Sequence, residues 1–293
     1  MRIIGIVQAR MGSTRFPGKV MQAISDVPMI GLLLERLSKS SKIAKIIIAT
    51  SKNKLDDPLE NYLKSINYSV YRGDEGDVLK RFYLAAKQEQ ADVVIRITGD
   101  CPLIDAKLVD EVIEGFINSK ADYASNREPP TYPDGLDVEV FSMYALELAY
   151  VNASESSERE HVTPYIINSD HFKKFYVQNS EDLSGERWTV DELEDFSVIE
   201  SVFSAFSPRV DFSWQEVLQL RSKNPSIFEK NTHLLRNEGS SMATGQKLWR
   251  RAKKIIPGGN MLLSKRSEMF LPGAWPSYFE KAKGCKVWDL DGR

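Results

Sequence analysis

Cysteine, net charge and long apolar runs are all scarce in this sequence, and each scarcity removes a class of protein. Only Cys101 and Cys285 occur in 293 residues, far apart and in what read as different segments. Neither a disulfide framework nor a cysteine-rich metal site is supported. A formal charge of −2 and a pI near 6.1 supply no bulk attraction for a nucleic acid polymer or an anionic membrane. No apolar stretch approaches the roughly 20 residues that cross a bilayer, and Met1-Arg2-Ile3 runs into a strand, not into a signal-peptide core and cleavage site. The expectation is a cytoplasmic protein with neither a membrane nor a nucleic-acid polymer as partner. Internal repeats and low-complexity tracts are also missing. At 42% hydrophobic and 27% charged residues, the chain can bury one large core and carry an appendage.

What is there starts at the front. The apolar run Ile3-Ile4-Gly5-Ile6-Val7 reads as a central parallel strand, and Gln8 to Lys19 follows it with Arg10, Arg15 and Lys19 set around Gly12, Ser13 and Gly18. Ligands of open α/β sheets sit beyond the carboxyl ends of such strands. Glycine lets backbone N–H groups come close, and the three cations can make charge-assisted bonds to phosphate oxygens. The spacing is not that of a Walker A loop: Pro17 removes a donor, and Val20 follows Lys19 where that motif needs Ser or Thr. The dinucleotide fingerprint G-x-G-x-x-G is absent too.

From residue 1 to about 215, apolar strands alternate with amphipathic helices, the pattern of a layered α/β sheet. Asp26 and Pro28 open a helix through Leu37, Ile46 to Thr50 is a strand, and Asp77 caps a helix through Ala85. Val93 to Ile97 forms the next strand, and Asp105 caps the helix after it, which leaves Asp100 in the loop above the sheet. Leu136 to Phe141 alternates apolar and acidic residues, so Asp137 and Glu139 share one face. Helices over about 143–152 and 158–167, a strand over 172–177 and a short strand over 187–190 follow, the last delivering Asp191 with Asp195 four residues on. The polar stretch 223–242 reads as a linker, and 243–293 is a new start whose last residues resemble a hairpin strand stopped at its turn.

Asp100 can hold Mg²⁺ beside phosphates, since Mg²⁺ prefers one or two carboxylates with phosphate and water oxygens, or it can simply shape the Cys-Pro turn. Asp191 has the same choice between a metal and a helix cap, and Asp195 reads as a cap or helix-face residue. Asp137 and Glu139 face either sugar hydroxyls or plain solvent. His161 is either a structural histidine or a base, and Arg72 and Arg81 either reach the nucleotide or form surface ion pairs.

Several blocks carry a family resemblance. Gln8 to Lys19, Arg72-Gly73 with Asp77-Val78-Leu79, Arg96 to Ile104 around Gly99-Asp100-Cys101-Pro102, Tyr132 to Glu139, and Trp188 to Asp191 with Asp195 together resemble the cytidylyltransferases that make CMP-activated acid sugars, especially the SpsF-like spore-coat branch. The resemblance covers about residues 1–220. It implies a nucleotide-diphospho-sugar-transferase sheet with helices on both faces over residues 1–222 and a partial-domain appendage at the C-terminus. It implies CTP bound by Ala9, Arg10, Gly12, Ser13, Arg15, Lys19, Arg72 and Asp100, with Arg10 and Lys19 catalytic and Asp100 and Asp191 holding Mg²⁺. The resemblance does not extend to the acceptor pocket over 120–180; from the residues alone, Asp137, Glu139 and His161 are the candidates to meet a sugar-like acceptor. Monomer and homodimer both stay open. Arg251 to Gly259 and Lys283 to Gly292 resemble the opening of class III pyridoxal-phosphate aminotransferases, so 243–293 reads as the start of a second enzyme, without aminotransferase activity of its own.

The expected reaction is CMP transfer from CTP with release of pyrophosphate. A metal-dependent glycosyltransferase using Asp137-Val138-Glu139 as its acidic motif, a cytidylyltransferase of polyol phosphates or phosphonates, and a non-catalytic nucleotide-binding scaffold are the competing readings.

Overall fold

The computed structural model describes residues 1–234, 236, 244–259, 266, 269, 278–290 and 292. The chain divides into two units, Met1–His233 and Leu234–Arg293. The first is built on strands β1 (Ile3–Gln8), β4 (Lys45–Ser51), β5 (Ser69–Gly73), β6 (Val93–Thr98), β7 (Tyr123–Ser125), β8 (Glu139–Ser142) and β9 (Lys174–Tyr176) in the order β5-β4-β1-β6-β8-β7-β9. A small hairpin, β2 (Ala23–Ile24) with β3 (Val27–Pro28), stands apart. Strands β5, β4, β1 and β6 are mutually parallel, β8 runs against both β6 and β7, and β9 is parallel to β7. Because only β8 is reversed, the carboxyl ends of the other six strands and the amino end of β8 share one edge.

Alternation along the strands sends side chains to two cores. Ile3 and Val7 of β1 join a cluster with α1 (Met29–Leu37), α2 (Asp57–Ser65), α4 (Ala106–Ser119), α8 (Leu193–Phe206) and α9 (Trp214–Lys223). Ile4 and Ile6 face the other way, onto α3 (Val78–Gln88), α5 (Met143–Asn152) and α7 (Pro164–Asn168). Helices therefore cover both faces, as expected for the layered sheet.

Several local expectations shift for identifiable reasons. Asp77 and Asp105 do cap their helices, accepting from Lys80 N at 2.9 Å and from Lys107 N and Leu108 N at 2.9 and 3.1 Å. Asp26 does not: it occupies the β2–β3 turn with φ +67°, and Pro28 precedes α1. The single helix expected over 158–167 is two, α6 (Ser156–His161) and α7, broken where Val162 takes φ +72° ahead of Pro164; proline lacks the N–H that would continue the first helix. The expected strand 187–190 is one parallel bridge, Asp134 to Arg187.

The first unit also runs past the expected boundary at 222. A 3-10 segment, Pro225–Asn231, buries Phe228 and Asn231, so part of the anticipated linker belongs to the first unit; residues 237–241 lie outside the described residues. The second unit contains α10 (Thr244–Ile255) and a hairpin, β10 (Phe279–Lys283) with β11 (Lys286–Asp289). The terminal strand thus pairs backwards, across a turn at Gly284 with φ +61°. On α10, Trp249 and Ala252 are buried, whereas Leu248 and Ile255 of the same expected face are exposed.

Candidate active site

Close approach of two strand exits builds the site. A Cβ on Gly99 would lie 2.9 Å from Ala9 Cβ and 3.0 Å from Gln8 O, so only glycine lets the end of β6 stay against the end of β1. Gly99 N donates to Gln8 O at 2.8 Å, and Asp100 emerges beside the front loop. The turn after it is held from below by the buried Arg36 of α1, which donates to Leu103 O and Ile104 O, both at 3.1 Å, and to Phe212 O at 2.9 Å.

The front loop folds back on itself. Met11 N donates to Asp56 Oδ1 at 2.7 Å, and Gly18 N donates to Met11 O at 2.9 Å while Gly18 takes φ +73°, a conformation suited to glycine. This reversal drops Lys19 into the sheet edge, where its ammonium donates to Asp100 Oδ2 at 3.0 Å, Asp191 Oδ1 at 2.9 Å and Val190 O at 2.7 Å. Burial opposes the charge on Lys19, but Asp100 and Asp191 override it and hold its pKa above the usual lysine value. Burial likewise opposes the charge on Asp100, yet the Lys19 ammonium and Thr98 keep its pKa down at about 2. Cys101, a buried thiol pushed well up by burial and by Asp100, sits 3.6 Å from Asp100 Oδ1.

Arg15 adds a second cation to Asp191, Nη2 to Oδ1 at 2.8 Å, and Arg10 reaches Glu75 at 3.5 Å. Their side chains are 36% and 40% exposed, against 9% for Lys19. Ala9 is buried behind the loop, Ser13 Oγ accepts from Phe16 N at 3.4 Å, and a Cβ on Gly12 would meet only Glu75 Oε1 at 3.6 Å. Arg10, Arg15, Lys19, Asp100 and Asp191 thus gather at one edge, and the loop's backbone at Gly12 is uncrowded.

Three expected residues behave differently. Arg72, two strands from β1, spends its guanidinium on Asp57 at 2.6 Å, Glu60 at 2.7 Å, Ser51 O at 2.8 Å and Asn53 O at 2.6 Å. The surface ion pair is what forms, not a reach toward the front loop. Glu139 is 2% exposed instead of lying on a wet face: it pairs with Arg96, and with Arg127 at 3.2 Å, and accepts from Tyr123 Oη at 2.8 Å and Thr163 Oγ1 at 2.7 Å. Burial opposes its charge and the two arginines restore it, holding its pKa at about 2. Four donors fill the carboxylate, leaving no lone pair for a sugar hydroxyl or a metal. The reason is topological, since β8 lies between β6 and β7 and is covered on both faces. Asp137 falls before β8 and pairs with Arg127 at 3.3 Å, so Asp137-Val138-Glu139 does not work as a glycosyltransferase metal motif. His161 is exposed at the end of α6.

The structure also adds residues to which no site role was assigned: Asp56 beneath the loop, Arg187 and Asn231 near Asp191, and Asp134, which lies in the Tyr132 to Glu139 block and pairs with Arg187. Gly135 offers one hint. It takes φ +105°, and a Cβ there would lie 2.6 Å from Thr189 N, which marks a tight crossing of 134–135 over 187–189. Trp188 N donates to Asp134 O at 2.7 Å and Val190 N to Asp100 O at 2.8 Å. The 187–191 segment is therefore threaded between two loops, and that threading carries Asp191 to Lys19.

Among the described residues no helix is long and apolar enough to cross a membrane, and no group of three or more His, Cys, Asp or Glu could hold a metal ion. The cytidylyltransferase family model matches residues 4–237. An uncharacterized protein of Methanocaldococcus jannaschii is 40% identical over 237 residues, covering 80% of this chain and 96% of its own. The spore coat polysaccharide biosynthesis protein SpsF of Bacillus subtilis is 32% identical over 231 residues, covering 76% and 95%. The solved structure of a cytidylyltransferase from Leptospira borgpetersenii superposes with a TM-score of 0.75 at 35% identity, over 78% of this chain and 97% of that one. The family match stops at residue 237, so the aminotransferase-like motifs beyond it gain no support from it. Up to that point the loop, the sheet and the relatives agree, and the chain belongs to the cytidylyltransferase family, enzymes that draw on CTP as nucleotidyl donor.

Proposed function

We propose that this enzyme transfers CMP from CTP to an acidic sugar or a related acceptor and releases pyrophosphate, in the synthesis of a surface-polysaccharide precursor. The observation that carries the reading is the Lys19 ammonium held within 3.0 Å of both Asp100 and Asp191, beside the half-exposed Arg10 and Arg15. An acceptor oxygen attacks the α-phosphorus in line, a P–O bond forms to it, and the bond to the β-phosphate bridging oxygen breaks. Negative charge builds on the leaving pyrophosphate, where Lys19, Arg10 and Arg15 stabilise it. The uncrowded backbone at Gly12 lets a phosphate oxygen approach the same loop.

The donor set fits Mg²⁺. Asp100 Oδ2 and Asp191 Oδ1 already converge on one cation, the Lys19 ammonium, at 3.0 and 2.9 Å, and a hard divalent ion held by one or two carboxylates takes its remaining ligands from phosphate and water. Asp100 and Asp191 are the residues that would hold it, and when bound it supplies Lewis-acid polarisation of the phosphate oxygens. On this reading the acceptor is met by Asp137, which pairs with Arg127, and by His161, exposed at the end of α6. SpsF, as its name states, serves spore-coat polysaccharide biosynthesis, which favours a sugar-like acceptor over a polyol phosphate or phosphonate. The likeness of 243–293 to an aminotransferase opening belongs to the same proposal, a transferase followed by a piece of a second enzyme type.

Incubation with CTP, Mg²⁺ and a panel of acid sugars, polyol phosphates and phosphonates, with pyrophosphate release as the readout, tests the reading. At least one acid sugar should turn over, and Lys19→Ala or Asp100→Asn should lower that rate by on the order of 10²-fold or more. Unchanged release in either variant overturns the assignment of the site, and turnover of a polyol phosphate or phosphonate alone overturns the assignment of the acceptor.

A further inference from the structure

Asp191 stands where regular structure runs out. Upstream, Trp188 and Val190 are tied to neighbouring loops by their backbone N–H groups, but Asp191 N donates to a side chain, Asp195 Oδ2, at 2.9 Å. Asp195 is fully buried and accepts from four further donors: Glu192 N at 3.0 Å, Arg187 Nε at 2.8 Å, Arg187 Nη2 at 2.9 Å and Asn231 Nδ2 at 2.9 Å. Five donors exceed the roughly four lone-pair sites of a carboxylate, so Asp195 has nothing left for a ligand.

Arg187 is shared among three acids. Besides Asp195 it reaches Asp134 Oδ2 at 3.3 Å and Asp191 Oδ2 at 3.4 Å. The other oxygen of Asp191, Oδ1, is the one that faces Lys19 and Arg15. The two oxygens are thereby sorted, one toward the scaffold and one toward the phosphate side. Asn231, at the end of the 3-10 segment, locks the arrangement by donating to Arg187 O at 3.1 Å as well.

We infer that Arg187, Asp195 and Asn231 form a positioning unit that aims Asp191 Oδ1 at the cation side of the site, where Lys19 and Arg15 hold it in this structure and a divalent ion would exchange for one of them, so that Pro225–Asn231 supports the active site. Asp195 is also the N3 residue of the capping box that opens α8, the cap expected of it, but a cap with a structural ion pair would need neither the sorted oxygens nor a contact from residue 231. Outer partners that orient a liganding carboxylate are typically worth 10–100-fold in metal affinity. The inference rests on the metal role proposed for Asp191, and the experiment separates the two.

Mn²⁺ serves as the probe, its binding to the full-length protein saturated with CTP followed by water-proton relaxation without acceptor. Asn231→Ala and Asp195→Asn should each raise the Mn²⁺ dissociation constant about 10-fold, while the KM for CTP at saturating metal stays within about 2-fold and Asn231→Ala recovers most of its kcat there. Asn231→Ala removes one donor of five, so it keeps the test decisive where Asp195→Asn does not fold. An unchanged Mn²⁺ constant in folded Asn231→Ala, alongside a weakened one in Asp191→Asn, overturns the positioning unit alone. An unchanged constant in Asp191→Asn overturns the metal role of Asp191, and the inference falls with it.

Discussion

The parallel half of the sheet, β4, β1 and β6, and the half containing β8, β7 and β9 both place charged residues on the same edge, but they use charge in opposite ways. In the parallel half Arg10 and Arg15 are 40% and 36% exposed, each with one acidic partner, Glu75 or Asp191. Such contacts are weak and readily exchanged for a phosphate. In the other half Glu139 is 2% exposed and saturated by two arginines, a tyrosine and a threonine. A buried ion cluster of that kind is costly to break and has no valence to offer. Position at the ligand edge therefore does not by itself free a charge for a ligand: Arg10 and Arg15 keep exposed, exchangeable partners, and Glu139 does not.

The sharpest way to break this contrast is Glu139→Gln. Leaving Arg96 and Arg127 without their carboxylate should cost about 3–5 kcal/mol, a fall in Tm of roughly 10 °C or more for a domain of this size. A collapse of pyrophosphate release at unchanged Tm would make Glu139 a working residue and erase the distinction.

The same residue predicts an acid limb. The folded-state pKa of Glu139 is lowered from 4.5 to about 2, so its contribution is fully present above about pH 4.5 and is lost as pH falls toward 2. Integrated over that interval it amounts to about 3 kcal/mol. Urea unfolding at stepped pH should give a shallower slope in this window for Glu139→Gln than for the native protein; equal slopes would place the charge elsewhere.

Arg10→Ala and Arg15→Ala probe the exchangeable side. Each should raise the KM for CTP about 10-fold, the loss of one charge-assisted bond, with stability unchanged to about 0.5 kcal/mol. A variant that unfolds without changing that KM would mean these arginines belong to the scaffold. The smallest effect is expected of Arg72→Ala. Its partners are Asp57 and Glu60, so the KM for CTP should move by less than about 2-fold and stability by no more than about 1 kcal/mol; a rise in KM like that of Arg10→Ala would return Arg72 to the nucleotide.

The parallel half was legible for a local reason. Continuous apolar runs such as Ile3 to Val7 mark buried strands, and the loop after each is the ligand edge, so Arg10, Arg15, Lys19 and Asp100 could be gathered from spacing alone. Glu139 misled because period-two alternation says only that a strand has two unlike faces. Whether the acidic face is wet depends on the neighbours, and β8 is interior. The segment 225–231 misled similarly: its polar composition reads as linker, while Phe228 and Asn231 are buried through contacts with residues remote in sequence.

By itself the sequence determined the layered α/β class, the cationic loop at the first strand's exit and, through its motifs, the cytidylyltransferase family, because each is written in contiguous residues. Tertiary structure alone decided that Asp100 and Asp191 share the Lys19 ammonium, which other acids are sealed into the scaffold and which residues surround Asp191. Those choices depend on pairs separated by many residues, such as Lys19 with Asp191 and Arg187 with Asn231, and on burial, which no local pattern of side chains records.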